Sequence, residues 1–278
     1  MPFVLPPDQI VALALAAYEK KDLLRKGFGR LLRRLKQGNT KVAVFGLGGA
    51  GKTTLGQLLT EGEARPLLRS ATYTESLAVE EYKLPEIGGL LMVPPGQERR
   101  IDDYWHDLYR DLASGKSVGV VHVVSYGYNS FMKREVKDLS AYREGMTTDQ
   151  VMAAYVASER ERELDILRRL VPRLIDAKRN IWMVTLVTKQ DLWWDDAASV
   201  ETHYLRGQYE EILGEVRRKR GESKFRHEYV SAGLVSSNFT APSGEVLIKT
   251  TGGYDQSIQV AHLTQLVSTM QVMINRKT

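Results

Sequence analysis

The chain of 278 residues is long enough for one enlarged domain or two small ones, and its apolar and charged fractions are those of a globular protein with a sizeable core. The net charge is a modest +5, and the absence of cysteine excludes a disulfide framework, a thiolate zinc site and a catalytic thiol. The five histidines, His106, His122, His203, His227 and His262, are scattered, with no close pair at metal-ligand spacing, and read as surface or satisfied core residues.

Residues 1–40 precede the first core strand as an extension. Leu24, Phe28, Leu31, Leu32 and Leu35 recur at helical spacing among Arg25, Lys26, Arg30, Arg33, Arg34 and Lys36. Such a basic amphipathic helix suits an anionic membrane surface or a partner, and equally suits packing its leucines on its own domain. The longest uncharged N-terminal stretch, Ile10–Tyr18, is too short to span a bilayer and lacks the positive flank of a signal peptide. The expected location is the cytoplasm, with the basic helix as a candidate contact to a membrane surface.

Val42–Phe45 reads as a buried strand and leads into Gly46-Leu47-Gly48-Gly49-Ala50-Gly51-Lys52-Thr53-Thr54, after which a short helix runs to about Gly62. This is the complete G-x-x-x-x-G-K-S/T pattern in its strand–loop–helix setting. Glycines let successive backbone N–H groups converge on an anionic phosphate chain. Lys52 is placed to reach the terminal phosphates, and the Thr53 hydroxyl to take one corner of a magnesium octahedron.

Residues 63–75 look like a Ser/Thr-rich loop. Ser76–Leu84 and Gly89–Val93 read as two strands joined by a turn at Pro85–Gly88. After Pro94-Pro95-Gly96-Gln97-Glu98-Arg99, a helix is expected with Ile101, Trp105, Leu108 and Leu112 on one face. Val118–Val124 suits a strand buried on both faces. Residues 127–150 are polar and aperiodic, and a long charged helix is expected from about Asp149 to Ala177, kinked or divided at Pro172. Ile181–Val187 is another buried-type strand and leads into Thr188-Lys189-Gln190-Asp191. One helix near 197–219 precedes a strand at Glu228–Val230 and the dipeptide Ser231-Ala232. Segment 233–256 holds an extra strand at Glu245–Thr250, and an amphipathic helix at about Ile258–Ile274 closes the chain. Alternating strands and helices predict an α/β fold, with a mainly parallel sheet covered on both faces and its ligand beyond the carboxyl ends of the strands.

In order and context, these motifs make the chain resemble the Ras-, Rab- and Arf-like small GTPases of the P-loop superfamily over roughly residues 41–278. Gly96-Gln97-Glu98 is similar to the end of that group's D-x-x-G-Q-E motif, Thr188-Lys189-Gln190-Asp191 to its Asn/Thr-Lys-x-Asp guanine motif, and Ser231-Ala232 to its Ser-Ala motif. The resemblance implies a three-layer α/β/α G domain that binds GTP or GDP with Mg2+, hydrolyses GTP slowly and acts as a molecular switch. It implies that Asp191 accepts the base N–H donors of guanine, that Lys189 lies along the base, and that Thr188 ties the motif to the phosphate loop. The Ala232 N–H would meet the guanine carbonyl. Thr72 or Thr74 would close on magnesium, and Gln97 would orient the attacking water with Lys52 taking up charge. Read without the family, Asp191 also fits a helix cap.

Two departures stand out. Val93 occupies the place of the acid that opens D-x-x-G, which leaves magnesium affinity and hydrolysis open. The stretch between Tyr126 and Asn180, with 233–256, far exceeds the usual connection, and long added segments are commonly partner-facing. A protein effector or regulator is therefore expected through the switch loops and the 127–180 insertion. No aromatic–basic interleaving points to nucleic acid. Two other readings stay open. One is a GTP-dependent interaction module with little or no hydrolysis, favoured by Val93; the other is an ATP-using P-loop enzyme in which Thr188–Asp191 is coincidence.

Overall fold

The computed structural model describes residues 41–61, 80–83, 90–93, 105–106, 109–115, 117–130 and 135–275. The N-terminal extension at 1–40 lies outside them, as do Thr72, Thr74, Gly96 and Gln97.

Strand β1 (Lys41–Phe45) is followed by helix α1 (Lys52–Glu61), then β2 (Glu80–Lys83), β3 (Leu90–Val93) and β4 (Ser117–Val124). Helix α2 (Thr148–Ile175) leads to β5 (Ile181–Val187) and the short α3 (Gln190–Trp193). Helices α4 (Ala197–Leu205) and α5 (Gln208–Arg220) precede β6 (Phe225–Ser231). A small hairpin, β7 (Phe239–Thr240) and β8 (Val246–Ile248), comes before the last helix, α6 (Gln256–Asn275). The main sheet has the order β2-β3-β1-β4-β5-β6, and all its pairings are parallel except β2 with β3. This is a three-layer α/β/α arrangement, with helices on both faces of a mainly parallel sheet.

Period-two alternation along the strands explains the layers. In β1, Ala43 and Phe45 face one core, with Leu167, Leu170 and Leu174 of α2, Tyr204 of α4, Tyr209 and Leu213 of α5, and Trp105 and Leu112. Val42 and Val44 face the opposite core, with Leu55 and Leu58 of α1 and Val260, Leu263 and Val267 of α6. Every residue of β5 is buried, as a central parallel strand with helices on both faces requires.

Two expectations are corrected. Pro172 does not divide α2, because it lies close to the C-terminus, where its carbonyl accepts the Asp176 N–H at 2.9 Å. The far end of α2 is held from α5: Arg220 donates to the carbonyls of Ile175 (2.8 Å), Ala177 (2.6 Å) and Arg179 (2.6 Å). The single helix foreseen over 197–219 is two helices. Gly207 caps the second, and a Cβ there would stand 2.7 Å from the His203 carbonyl oxygen. The extra strand expected at Glu245–Thr250 is present as β8, and it pairs with β7 in an antiparallel hairpin separate from the main sheet.

That hairpin belongs to a third core. Leu139, Val151, Met152, Tyr155 and Val156 pack there with Leu192, Phe239, Ala241 and Leu247. The two long insertions thus turn apolar side chains toward each other above the Thr188–Asp191 loop. The 127–180 insertion, expected to face a partner, also contributes side chains to the interior.

Candidate functional site

The loop after β1 is closed by its glycines. Gly46 has φ +147, and a Cβ there would lie 2.1 Å from the Val123 carbonyl oxygen; Gly51 has φ +101. Neither position suits a side chain, so the turn holds its backbone tightly against β4. Leu47 and Ala50 point into the protein, whereas Gly48 and Gly49 remain partly exposed on the rim. Lys52 begins α1 and is only 6% exposed. Its ammonium folds back over the loop and donates to the carbonyls of Gly46 (2.9 Å) and Leu47 (2.8 Å). Thr53 and Thr54 follow in the first turn of α1, both partly exposed.

The loop after β5 comes to the same edge. Thr188 Oγ1 donates to the Ala50 carbonyl at 2.7 Å and lies 3.0 Å from that of Val124, while the Thr188 carbonyl accepts the Trp193 indole N–H at 2.8 Å. Lys189 is left-handed (φ 55), which turns its side chain out of the strand direction. Its ammonium donates to the Tyr128 carbonyl and stands 5.1 Å from the centre of the Phe239 ring. Burial lowers its pKa to about 8.

Asp191 is 1% exposed. Its Oδ2 accepts the Ser237 N–H at 2.9 Å, and its carbonyl accepts the Thr251 N–H at 2.7 Å. Oδ1 is buried with no hydrogen-bond partner among the described residues. Burial raises the carboxyl pKa to about 6, against the pull of the Ser237 amide, its own backbone N–H, the Lys189 ammonium and the Thr250 hydroxyl. A buried acceptor without a donor is costly, which makes Oδ1 the most conspicuous unsatisfied group at this edge.

Beyond β6, Ser231 Oγ accepts from Gln190 Nε2 at 3.0 Å, and the Gly233 N–H donates to the Tyr254 hydroxyl at 3.1 Å. Leu234 reaches the phosphate loop, since a Cβ on Gly51 would stand 3.3 Å from its Cδ1. The Ala232 N–H was expected to meet a guanine carbonyl. Instead it donates to the Val187 carbonyl at 2.9 Å, because the β5–β6 ladder runs one residue further than foreseen. That donor is spent inside the sheet.

The structure therefore brings together Gly46–Thr54, Thr188–Asp191 and Ser231–Leu234. Gly96 and Gln97 fall outside the described residues. β3 ends at Val93 beside β1, at the sheet edge that carries the loops, where the missing acid would have stood. Among the described residues, no group of three His, Cys, Asp or Glu could hold a metal ion. Of the three candidate magnesium ligands, Thr53 lies in the first turn of α1, and Thr72 and Thr74 lie outside the described residues.

Several site-shaping residues carry no motif. The turn at 125–130 borders both loops: Tyr128 takes Lys189, and a Cβ on Gly49 would stand 2.5 Å from Ser130. That turn hangs on Glu163, a fully buried carboxylate of α2. Its Oε1 accepts the N–H groups of Ser125 (2.8 Å) and Gly127 (3.2 Å) and the Asn129 amide (3.3 Å), and its Oε2 accepts the Tyr204 hydroxyl at 2.7 Å. The Tyr204 oxygen in turn accepts the Tyr126 N–H at 3.1 Å. The available signal was Glu159 and Glu163, four residues apart on the apolar face of α2, where charge is otherwise excluded.

Among the described residues, no helix is long and apolar enough to cross a membrane. No family model matches the sequence, and no curated protein matches it. Among solved structures, the chain is similar to the ADP-ribosylation-factor-like GTP-binding protein, small COPII coat GTPase SAR1, of Encephalitozoon cuniculi, in complex with GDP. The identity is 14%, with 94% of each chain covered and a TM-score of 0.37. It is similar to the GDP form of the signal recognition particle receptor SRb of Chaetomium thermophilum at 16% identity, covering 70% of this chain and 89% of that one, with a TM-score of 0.38. It is also similar to a dimerization-deficient mutant of Toc33 of Arabidopsis thaliana at 16% identity, covering 94% and 93%, with a TM-score of 0.40. At such identities and scores the likeness says nothing about activity; the site stands on its residues.

Proposed function

We propose that the chain binds guanine nucleotides at this sheet edge, with magnesium, and works as a switch that hydrolyses GTP slowly. One observation carries the reading: the Thr188 hydroxyl on the Ala50 carbonyl fixes a buried carboxylate, Asp191, at a set distance from the phosphate loop. A purine with a donor at N1 satisfies Oδ1; adenine, with an acceptor there, does not. Lys52 leaves the Gly46 and Leu47 carbonyls for the phosphates, and the glycine turn offers its N–H groups. Thr53 would hold magnesium, which when bound would neutralise phosphate charge, with Thr72 or Thr74 as the closing ligand. Gln97 orients the water.

A second reading, a GTP-dependent interaction module without turnover, is favoured by Val93 at the end of β3. Binding of labelled GDP and ATP with and without magnesium, followed by multiple-turnover phosphate release, separates the two. The switch reading expects GDP over ATP and slow phosphate release that Gln97→Leu lowers by about tenfold or more. Tight GTP binding with no release, unaffected by Gln97→Leu, leaves the interaction module; ATP preference removes both.

The raised Asp191 pKa adds a pH test. Base donors favour the carboxylate, so protonation competes with binding. GDP affinity is expected to be flat above about pH 7 and to fall as the pH drops through about 6, approaching tenfold per unit below it. Titrations of GDP between pH 5 and pH 8 check this, with Asp191→Asn as the control that should show no such slope.

A further inference from the structure

We propose that Tyr254 is a positioning residue for base recognition: its hydroxyl bridges the Thr188–Asp191 loop to the Ser231–Leu234 loop and fixes the spacing between them. This deepens the guanine-nucleotide reading and rests on it.

The two loops leave neighbouring strands, and the last rung between β5 and β6 pairs Val187 with Ser231. Past the Ala232 N–H on the Val187 carbonyl, a circuit of polar side chains links the two loops. The Gly233 N–H donates to the Tyr254 hydroxyl at 3.1 Å, and that hydroxyl donates to Gln190 Oε1 at 3.3 Å. Gln190 Nε2 then donates to Ser231 Oγ at 3.0 Å, which closes the circuit. Gln259, in the first turn of α6, donates to the Gly233 carbonyl at 3.0 Å, so both backbone polar groups of that residue are engaged. All three side chains are buried, and Gln190 stands directly before Asp191 in the chain. The hydroxyl reaches Gly233 because no side chain intervenes: a Cβ there would stand 2.4 Å from the Tyr254 oxygen.

Tyr254 is itself held from several sides. Its N–H donates to the Thr251 carbonyl at 3.2 Å, and the Thr251 N–H donates to the Asp191 carbonyl at 2.7 Å. The next residue, Asp255, accepts the N–H groups of Ser257 (2.8 Å) and Ile258 (3.0 Å) at the start of α6. Trp194 packs edge-on to the Tyr254 ring, 5.7 Å between centres. The single turn Thr251–Tyr254 therefore grips Asp191 through a backbone amide and the Ser231–Leu234 loop through a hydroxyl. A recognition group is only as precise as the residues that hold it, and Tyr254 supplies that support from outside both motifs.

The test measures fluorescent GDP binding and its displacement by unlabelled GDP and ADP, on the intact chain and on Tyr254→Phe, with the melting temperature of each taken without nucleotide. Phenylalanine keeps the ring against Trp194 and removes only the bridge. GDP is expected to weaken by about tenfold and ADP to stay within about twofold, because ADP keeps the phosphate contacts and gains nothing from Asp191. The preference for GDP over ADP then narrows by about tenfold. Equal or greater weakening of ADP in a folded variant, which marks a general loosening, overturns the positioning role, as does GDP affinity within twofold of the unaltered chain; both leave guanine binding intact. If the unaltered chain fails to bind GDP, or prefers ADP, the guanine reading falls and this inference with it. Gln190→Met opens the same circuit from the other loop and should narrow the preference alike, so it decides the matter should the phenylalanine variant fail to fold. Ser257→Ala loosens the start of α6 but not the circuit, and should leave the ratio unchanged.

Discussion

Lys52→Ala is expected to weaken GDP and GTP binding by about a hundredfold or more. The ammonium is the cation that the glycine loop places against the phosphates, and a charge-assisted hydrogen bond is worth about 1.5–3 kcal/mol, so losing two of them spans that range. In the free protein the same group already makes two such bonds inward, to Gly46 and Leu47. The substitution therefore also leaves two loop carbonyls without their donor, at about 1 kcal/mol or more. The two effects separate in thermal unfolding. Without nucleotide the variant should melt slightly below the unaltered chain, and saturating GDP should raise the melting temperature of the unaltered chain only. A variant that binds GDP within threefold of the unaltered chain would remove Lys52 from the site.

Glu163→Leu is expected to cost about 3–5 kcal/mol of stability, because it strands several buried donors at once. The N–H groups of Ser125 and Gly127, the Asn129 amide and the Tyr204 hydroxyl all lose their acceptor. Burial holds the Glu163 pKa above the usual carboxylate range despite those donors, so a neutral acceptor of the same shape should be tolerated far better. Glu163→Gln should cost only about 1 kcal/mol. Urea unfolding of both variants reads the difference. The leucine variant should also bind GDP more weakly, since the freed turn carries the Tyr128 carbonyl that holds Lys189. Equal stability of the leucine and unaltered chains would show that the turn finds its acceptors elsewhere.

Much of the fold and part of the site were legible in the sequence, for reasons that differ by element. The strand at Ile181–Val187 needed only its apolar run, since a strand buried on both faces has no polar alternation to misread. The glycine loop was readable because its chemistry demands fixed residue types at fixed spacing. Thr188 and Asp191 were readable only in sequence after that loop. What escaped has no local signature. The break at Gly207 looks like continuous helix, because an isolated glycine is tolerated within one. The spending of the Ala232 N–H depends on how far a ladder with β5 extends, which is set by the partner strand. The third core escaped because Leu139 lies in an aperiodic segment and Phe239 in a strand of only two residues, and their packing against α2 is set by tertiary fit.

The topology of that third core leads to an expected order of folding. One half of it leaves the end of β4 and the other the end of β6, with β5 between them in the sheet. The two halves are far apart along the chain, so closing them early would cost loop entropy with little return. They come within reach only after β4, β5 and β6 have aligned. The phosphate loop needs only its flanking strand and helix beside β4, so it can form early in folding. The carboxylate end of the pocket is thus the late-forming half, complete only when the chain has already committed to its sheet.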